Sequence, residues 1–239
     1  MNYAVIFAGG IGSRMGSSVP KQFLEVDGKP ILVHVAEKFS SHPLIGGIVI
    51  ASKEEYIGKC LELIRRYGLK KVVNVIPGGL TGQETIYNGV REVYLHHSAN
   101  PERDIVLIHD GVRPLITEEL ITESIACTER NGNSIAVSNA IETVIRVDGS
   151  GTVTGTVDRS ECRNAKAPQC FFLKELWEVH SRAKEDGVTN AIDTATLMSM
   201  YGCKLHTTPC SPENIKITTP GDYYMFQAIY EARKRGEVL

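Results

Sequence analysis

Short apolar runs rich in β-branched residues alternate, through the first half of the chain, with stretches whose apolar positions recur every three or four residues. The runs at 3–7, 48–51, 72–76, 105–109 and 134–137 read as strands buried on both faces, because apolar side chains continue where a half-exposed strand would alternate. Between them, residues 31–39, 54–67, 84–95 and 118–131 read as amphipathic helices. Pro30 suits a first helical position, and Ser52 with Glu55 fits a capping box for the second helix. This alternation predicts an α/β fold, a doubly wound and mostly parallel sheet. Such sheets hold ligands beyond the carboxyl ends of their strands.

The pattern changes after Asn139. Residues 143–147 and 153–157 are strand-like and joined by Asp148-Gly149-Ser150-Gly151, which predicts a hairpin. A lone hairpin is marginal in water, so this arm, about 139–160, is expected to pack on something, plausibly a second subunit. Helices resume at 173–185 and 193–201. A last helix starts at Thr219-Pro220, with Thr219 as its cap and Asp222 in its first turn. No repeat or linker divides residues 1–239, so one domain with an arm is expected.

Composition adds exclusions more than assignments. The 239 residues are 42% hydrophobic and 23% charged, ordinary for a globular domain with a sizeable core. A formal net charge of −2 lacks the basic excess of a nucleic-acid binder. No apolar run reaches membrane-spanning length, and no charged leader with a long apolar region precedes Tyr3, so neither membrane nor secretion is expected. The six cysteines form no C-x-x-C pair and read as reduced structural thiols of a cytoplasmic protein. His96-His97 resembles a metal pair, but neighbours on a helix face different directions, which favours an exposed helix end.

Candidate chemistry begins where the first strand ends, in Ala8-Gly9-Gly10-Ile11-Gly12-Ser13-Arg14-Met15-Gly16 and then Pro20-Lys21-Gln22. Small residues let backbone N–H groups approach phosphate oxygens, and Arg14 and Lys21 add cationic donors. The combination suits a triphosphate. A dinucleotide fingerprint needs a third glycine where Ser13-Arg14-Met15 stand, and the phosphate-loop pattern G-x-x-x-x-G-K-[ST] is absent. A glycine-rich surface turn with two solvated cations is the bland alternative.

The string A-G-G-x-G-x-R-M-x(4)-P-K-Q resembles the signature loop of the sugar-phosphate nucleotidyltransferases. It is closest to the cytidylyltransferases acting on 2-C-methyl-D-erythritol 4-phosphate or ribitol 5-phosphate. Ile108-His109-Asp110-Gly111-Val112-Arg113-Pro114 resembles that family's H-D-[AGS]-x-R-P segment. Thr156-Val157-Asp158-Arg159 with Ala167-Pro168-Gln169 resembles its arm-end arginine and P-Q turn, and Asn214-Ile215-Lys216-Ile217-Thr218 its N-I-K-[VI]-T strand. The blocks occur in family order over nearly the whole chain. One departure stands out: Leu80-Thr81-Gly82 occupies a place where members often carry D-x-R, which affects base recognition.

The resemblance implies a Rossmann-like, homodimeric enzyme that joins CTP and a polyol phosphate and releases pyrophosphate. It places Ala8, Gly9, Gly10, Gly12, Gly79, Thr85 and Gly111 beside the nucleotide. Arg14, Lys21, Arg159 and Lys216 take catalytic roles. Asp110, Arg113, Thr143, Arg159 and Lys216 surround the acceptor, with Thr143 and Arg159 reaching in from the partner's arm. Asp110 would hold Mg²⁺, which a lone strand-end carboxylate can do together with phosphate oxygens and water; a turn cap is the alternative. Residues 140–144 and 216–220 look closer to the ribitol group, whose product feeds wall-type (teichoic acid) polymers, than to the isoprenoid group. An NAD(P)-dependent oxidoreductase and a non-catalytic nucleotide-binding regulator remain as readings from other classes.

Overall fold

Each apolar run becomes a strand, lengthened by a residue or more. The computed structural model describes residues 1–10, 16 and 19–237. In chain order the strands are β1 (Asn2–Ala8), β2 (Glu25–Val26), β3 (Lys29–Pro30), β4 (Ile45–Ser52), β5 (Val72–Pro77), β6 (Ile105–Asp110), β7 (Asn133–Asn139), β8 (Ile145–Val147), β9 (Val153–Thr156), β10 (Arg163–Phe172) and β11 (Thr207–Pro209). The helices are α1 (Ile31–Ser41), α2 (Ile57–Arg66), α3 (Gly82–Glu92), α4 (Glu118–Asn131), α5 (Leu173–Glu185), α6 (Thr194–Met200) and α7 (Pro220–Lys234).

Seven strands form one sheet in the order β11-β7-β10-β6-β1-β4-β5. Within it β10 runs antiparallel to both β6 and β7, while the other pairings are parallel. Strand alternation splits the core over two faces. Ala4, Ile6 and Ala8 pack with α1, α2 and α4, whereas Tyr3 and Val5 pack with α3, α5 and α6. A third cluster, with Ile31, Val112, Ile217 and Phe226, seats α7.

The chain winds from β1 outward to β4 and β5, then returns to place β6 on the other side of β1. That reversal opens a crevice beyond the carboxyl ends of β1 and β6, which pair Phe7 with Asp110. The antiparallel β10 brings its early residues to the same edge, since Gln169 pairs with Ile108.

Three local expectations change. Pro30 caps α1 instead of entering it, and Ile31 is the first helical residue. Ser52 ends β4 and caps nothing; a 3₁₀ turn, Glu54–Tyr56, precedes α2 and supplies the bend that the capping box was expected to make. The third helix widens into a π turn at Val93–His97. There both adjacent histidines reach Glu92, with His97 Nε2 3.0 Å and His96 Nε2 4.0 Å from its carboxylate, so they share a partner where divergence was expected.

The hairpin forms as β8 and β9, shorter than its apolar runs, with Asp148 Oδ1 accepting from the N–H groups of Ser150 and Thr152 at the turn. Ile141, Ile145, Val147 and Val153 on this arm are each about half exposed or more. At the far end Thr219 and Asp222 complete a true capping box for α7. All six cysteines carry free thiols. Among the described residues no helix is long and apolar enough to cross a membrane.

Candidate active site

The site is built from strand ends. At the end of β1, Gly9 and Gly10 face Thr85 and Lys21: a Cβ on Gly9 would lie 3.6 Å from Thr85 Oγ1, and one on Gly10 3.7 Å from Lys21 Cε. The lysine therefore runs beside the glycine loop. Its position is set by a 3₁₀ turn, Lys21–Phe23, whose buried Gln22 donates from Nε2 to Ala8 O at 3.1 Å. Gly12 and Arg14 lie outside the described residues.

At the end of β6, buried Asp110 meets two cations. Its Oδ1 is 2.6 Å from Lys216 Nζ, and its Oδ2 accepts from Arg113 Nε at 3.2 Å. Burial opposes the charge on Asp110, but Arg113 and Lys216 outweigh it and hold the carboxyl below its ordinary value. Gly111 is closely packed: its N–H bonds Phe7 O at 3.0 Å, and a Cβ would lie 3.0 Å from Ala8 Cβ, so a side chain there needs its neighbours to give way slightly. His109 is fully buried, with Nε2 3.1 Å from Arg113 O, so the Nε2–H tautomer donates and locks the turn. Burial pushes its pKa down to about 4, leaving the ring neutral.

Arg113 also donates from Nη1 to Asn214 O at 2.6 Å, and Asn214 Nδ2 donates to Ala167 O at 2.8 Å. These bonds tie β6, the P-Q turn and the segment carrying Lys216 into one unit. Lys166 joins them, its Nζ donating to Pro212 O at 3.0 Å and Asn214 O at 3.2 Å. Burial, then the Arg113 charge, lowers its pKa. Lys166 was missed from sequence, although it stands two residues before Pro168.

The loop expected to read the base is tied to itself. Thr85 Oγ1 accepts from Gly79 N–H at 3.0 Å and donates to Thr81 O at 2.8 Å, while Thr81 caps α3 by accepting from Glu84 N–H. Gly78 packs closely on the same side chain, since a Cβ on it would lie 3.0 Å from Thr85 Oγ1. Thr85 and Gly79 thus shape the loop through each other. Leu80 is fully solvent-facing, and Gly82 opens onto empty space.

A cavity of about 500 Å³ lies between these groups, bounded by Asp110, Arg113, Lys166 and Lys216 and, elsewhere, by Gln83 and His180. Thr143 and Arg159 do not line it. Arg159 sits on the arm and donates from Nη1 to Ile141 O at 2.9 Å. The structure therefore brings together Ala8, Gly9, Gly10, Lys21, Gly79, Thr85, Asp110, Gly111, Arg113 and Lys216, and leaves Thr143 and Arg159 outside their own chain's cavity. The arrangement offers a pocket in which Arg113, Lys166 and Lys216 gather around the charged carboxylate of Asp110, with Asp193 elsewhere in its lining.

Comparison with known proteins follows this geometry. The family model for 2-C-methyl-D-erythritol 4-phosphate cytidylyltransferase matches residues 2–232. A ribitol-5-phosphate cytidylyltransferase of Vibrio parahaemolyticus is 43% identical over 243 residues, covering 100% of both chains. A 2-C-methyl-D-erythritol 4-phosphate cytidylyltransferase of Clostridium acetobutylicum is 36% identical over 230 residues, covering 96% of this chain and 97% of that one. The crystal structure of 4-diphosphocytidyl-2C-methyl-D-erythritol synthase from Anaerococcus prevotii superposes with a TM-score of 0.82 at 24% identity, covering 96% of each chain, a likeness of fold.

Proposed function

Because the chain belongs to the 2-C-methyl-D-erythritol 4-phosphate cytidylyltransferase family and is thus a nucleotidyltransferase, we propose that it makes CDP-ribitol and pyrophosphate from CTP and D-ribitol 5-phosphate. The observation that carries the reaction is the packing of Lys216 and Arg113 against Asp110 at the sheet's switch point, beside the glycine loop and Lys21. The choice of ribitol is supported by full-length identity of 43% to a relative of that name, against 36% over 230 residues to one acting on methylerythritol phosphate.

The acceptor is a phosphomonoester, already anionic near neutral pH. One of its oxygens attacks the α-phosphorus of CTP, the new P–O bond forms, and the bond to the β-phosphate oxygen breaks as pyrophosphate leaves. No protein nucleophile or general base is required. The obstacle is repulsion between two anions, so positioning and electrostatic stabilisation carry the rate. Lys21, with Arg14 of the same motif, holds the triphosphate. Arg113 and Lys216 receive the acceptor phosphate, and Arg159 of a second copy completes its binding. The half-exposed apolar side chains of the arm support a homodimer, since a solitary hairpin gains little from its own packing.

Magnesium suits Asp110. The carboxylate keeps its charge, and each oxygen has one cationic partner and a further lone pair. Held there with phosphate oxygens, Mg²⁺ would neutralise charge on the triphosphate. Incubating the protein with CTP, Mg²⁺ and either acceptor while following pyrophosphate tests the reading. D-ribitol 5-phosphate should give the higher kcat/KM, and chelation should abolish product until Mg²⁺ is restored. Turnover of methylerythritol phosphate alone would reassign the acceptor.

A further inference from the structure

Three buried polar atoms in the wall of the acceptor cavity have no hydrogen-bond partner among the described residues: Nδ1 and Nε2 of His180, and Oγ1 of Thr194. His180 is 2% exposed and Thr194 1%. A buried, unpaired polar group costs stability, and in the wall of a cavity it calls for an explanation, such as a ligand that supplies the missing bonds. His180 stands where α5 otherwise places apolar side chains, in the buried series Leu173, Leu176, His180 and Ala183. Leucine would fill that place without the penalty.

The location is specific. His180, Gln83, Thr81 and Thr189 line both the acceptor cavity and a neighbouring one of about 360 Å³. The cations Arg113, Lys166 and Lys216 line only the first, and two of them, Arg113 and Lys216, are those proposed to receive the acceptor phosphate. Gln83 pins the loop between them, donating to Val188 O at 2.6 Å and accepting from Ala191 N–H at 2.9 Å. That engages one donor and one acceptor of its carboxamide, whereas the polar atoms of His180 and Thr194 have no partner among the described residues.

We infer that His180 and Thr194 bind the hydroxyls of the acceptor's polyol chain and so select for a polyhydroxylated tail. The inference rests on the acceptor being a polyol phosphate. Burial pushes the His180 pKa down to about 4, so the ring is neutral near pH 7 and offers one donor and one acceptor. A hydroxyl also donates and accepts, and matches it. A carboxylate or phosphate would leave the acceptor nitrogen unpaired, and a methyl group would leave both. Sites built to hydrogen-bond a substrate hydroxyl discriminate strongly against analogues that lack it.

The test compares His180→Leu, His180→Gln and Thr194→Val with the wild type in steady-state assays, varying D-ribitol 5-phosphate and CTP separately. His180→Leu should raise KM for the polyol phosphate roughly tenfold, the loss of one neutral hydrogen bond, with KM for CTP unchanged. Its melting temperature should hold or rise, because an unpaired polar group has gone. His180→Gln keeps a donor and an acceptor and should recover most of the affinity. Thr194→Val should weaken the same substrate. An unchanged polyol-phosphate KM in His180→Leu, or equal damage in His180→Gln, overturns the inference while wild-type turnover leaves the reaction standing. A wild type that turns over no polyol phosphate removes both.

Discussion

Lys21 and the two buried histidines show how single side chains divide the work. Lys21 lies along the glycine loop, and in the proposed reaction it would meet the charge that accumulates as the α-phosphorus gains a fifth ligand. Lys21→Ala should lower kcat by roughly 10² if the lysine acts mainly in the transition state. Steady-state kinetics with saturating CTP check this, and a change confined to KM would remove the lysine from that role. His109 and His180 are both pushed by burial to about 4, against an ordinary value of 6.5. Above pH 6.5 their ionisation costs the fold nothing, and as pH falls toward 4 it destabilises the fold progressively, because the unfolded chain then binds protons that the folded chain excludes. The slope is roughly 1 kcal/mol per pH unit for each histidine. Urea titrations between pH 7 and 5 should show it, and His180→Leu should remove about half.

Elements position these side chains by bonds that cross from one segment to another. Thr85, near the start of α3, joins Gly79 N–H to Thr81 O and so gives the loop after β5 its shape. Thr85→Val keeps the volume and loses both bonds. It should cost about 1–2 kcal/mol and several-fold in KM for CTP, read by calorimetry and kinetics. Helix existence was legible throughout: α4 and α5 begin and end where their apolar periodicity does. Starts were less legible. Ser52 and Glu55 have the spacing of a cap, yet β4 keeps Ser52 buried in the sheet, and a 3₁₀ turn intervenes before α2. Local propensity favoured a cap; strand pairing won.

Over the whole molecule, the arm extends beyond the cavity that its own chain encloses. Subunits carrying Arg159→Ala, mixed with subunits carrying Lys21→Ala, should regain part of the activity if each site borrows an arm. Absence of recovery in confirmed heterodimers would confine the site to one chain. Arg159→Ala alone should weaken the polyol phosphate more than CTP.

What the order of residues determined by itself was the alternation of strands and helices, and the motifs at their junctions. Both follow from periodicity and local backbone chemistry, which act over a few residues. The glycine loop and Lys21 stood out for that reason, whereas Asp110, Arg113 and Lys216 were singled out by their resemblance to family motifs. Only the tertiary structure decided that Lys166 joins Arg113 on the carbonyl of Asn214, and that His180 and Thr194 face a cavity unpaired. Lys166 reads as one more surface cation and His180 as one polar residue on an apolar stripe. The partners of Lys166 lie tens of residues away in the chain, and burial, which gives each its chemistry, exists only after the sheet has closed.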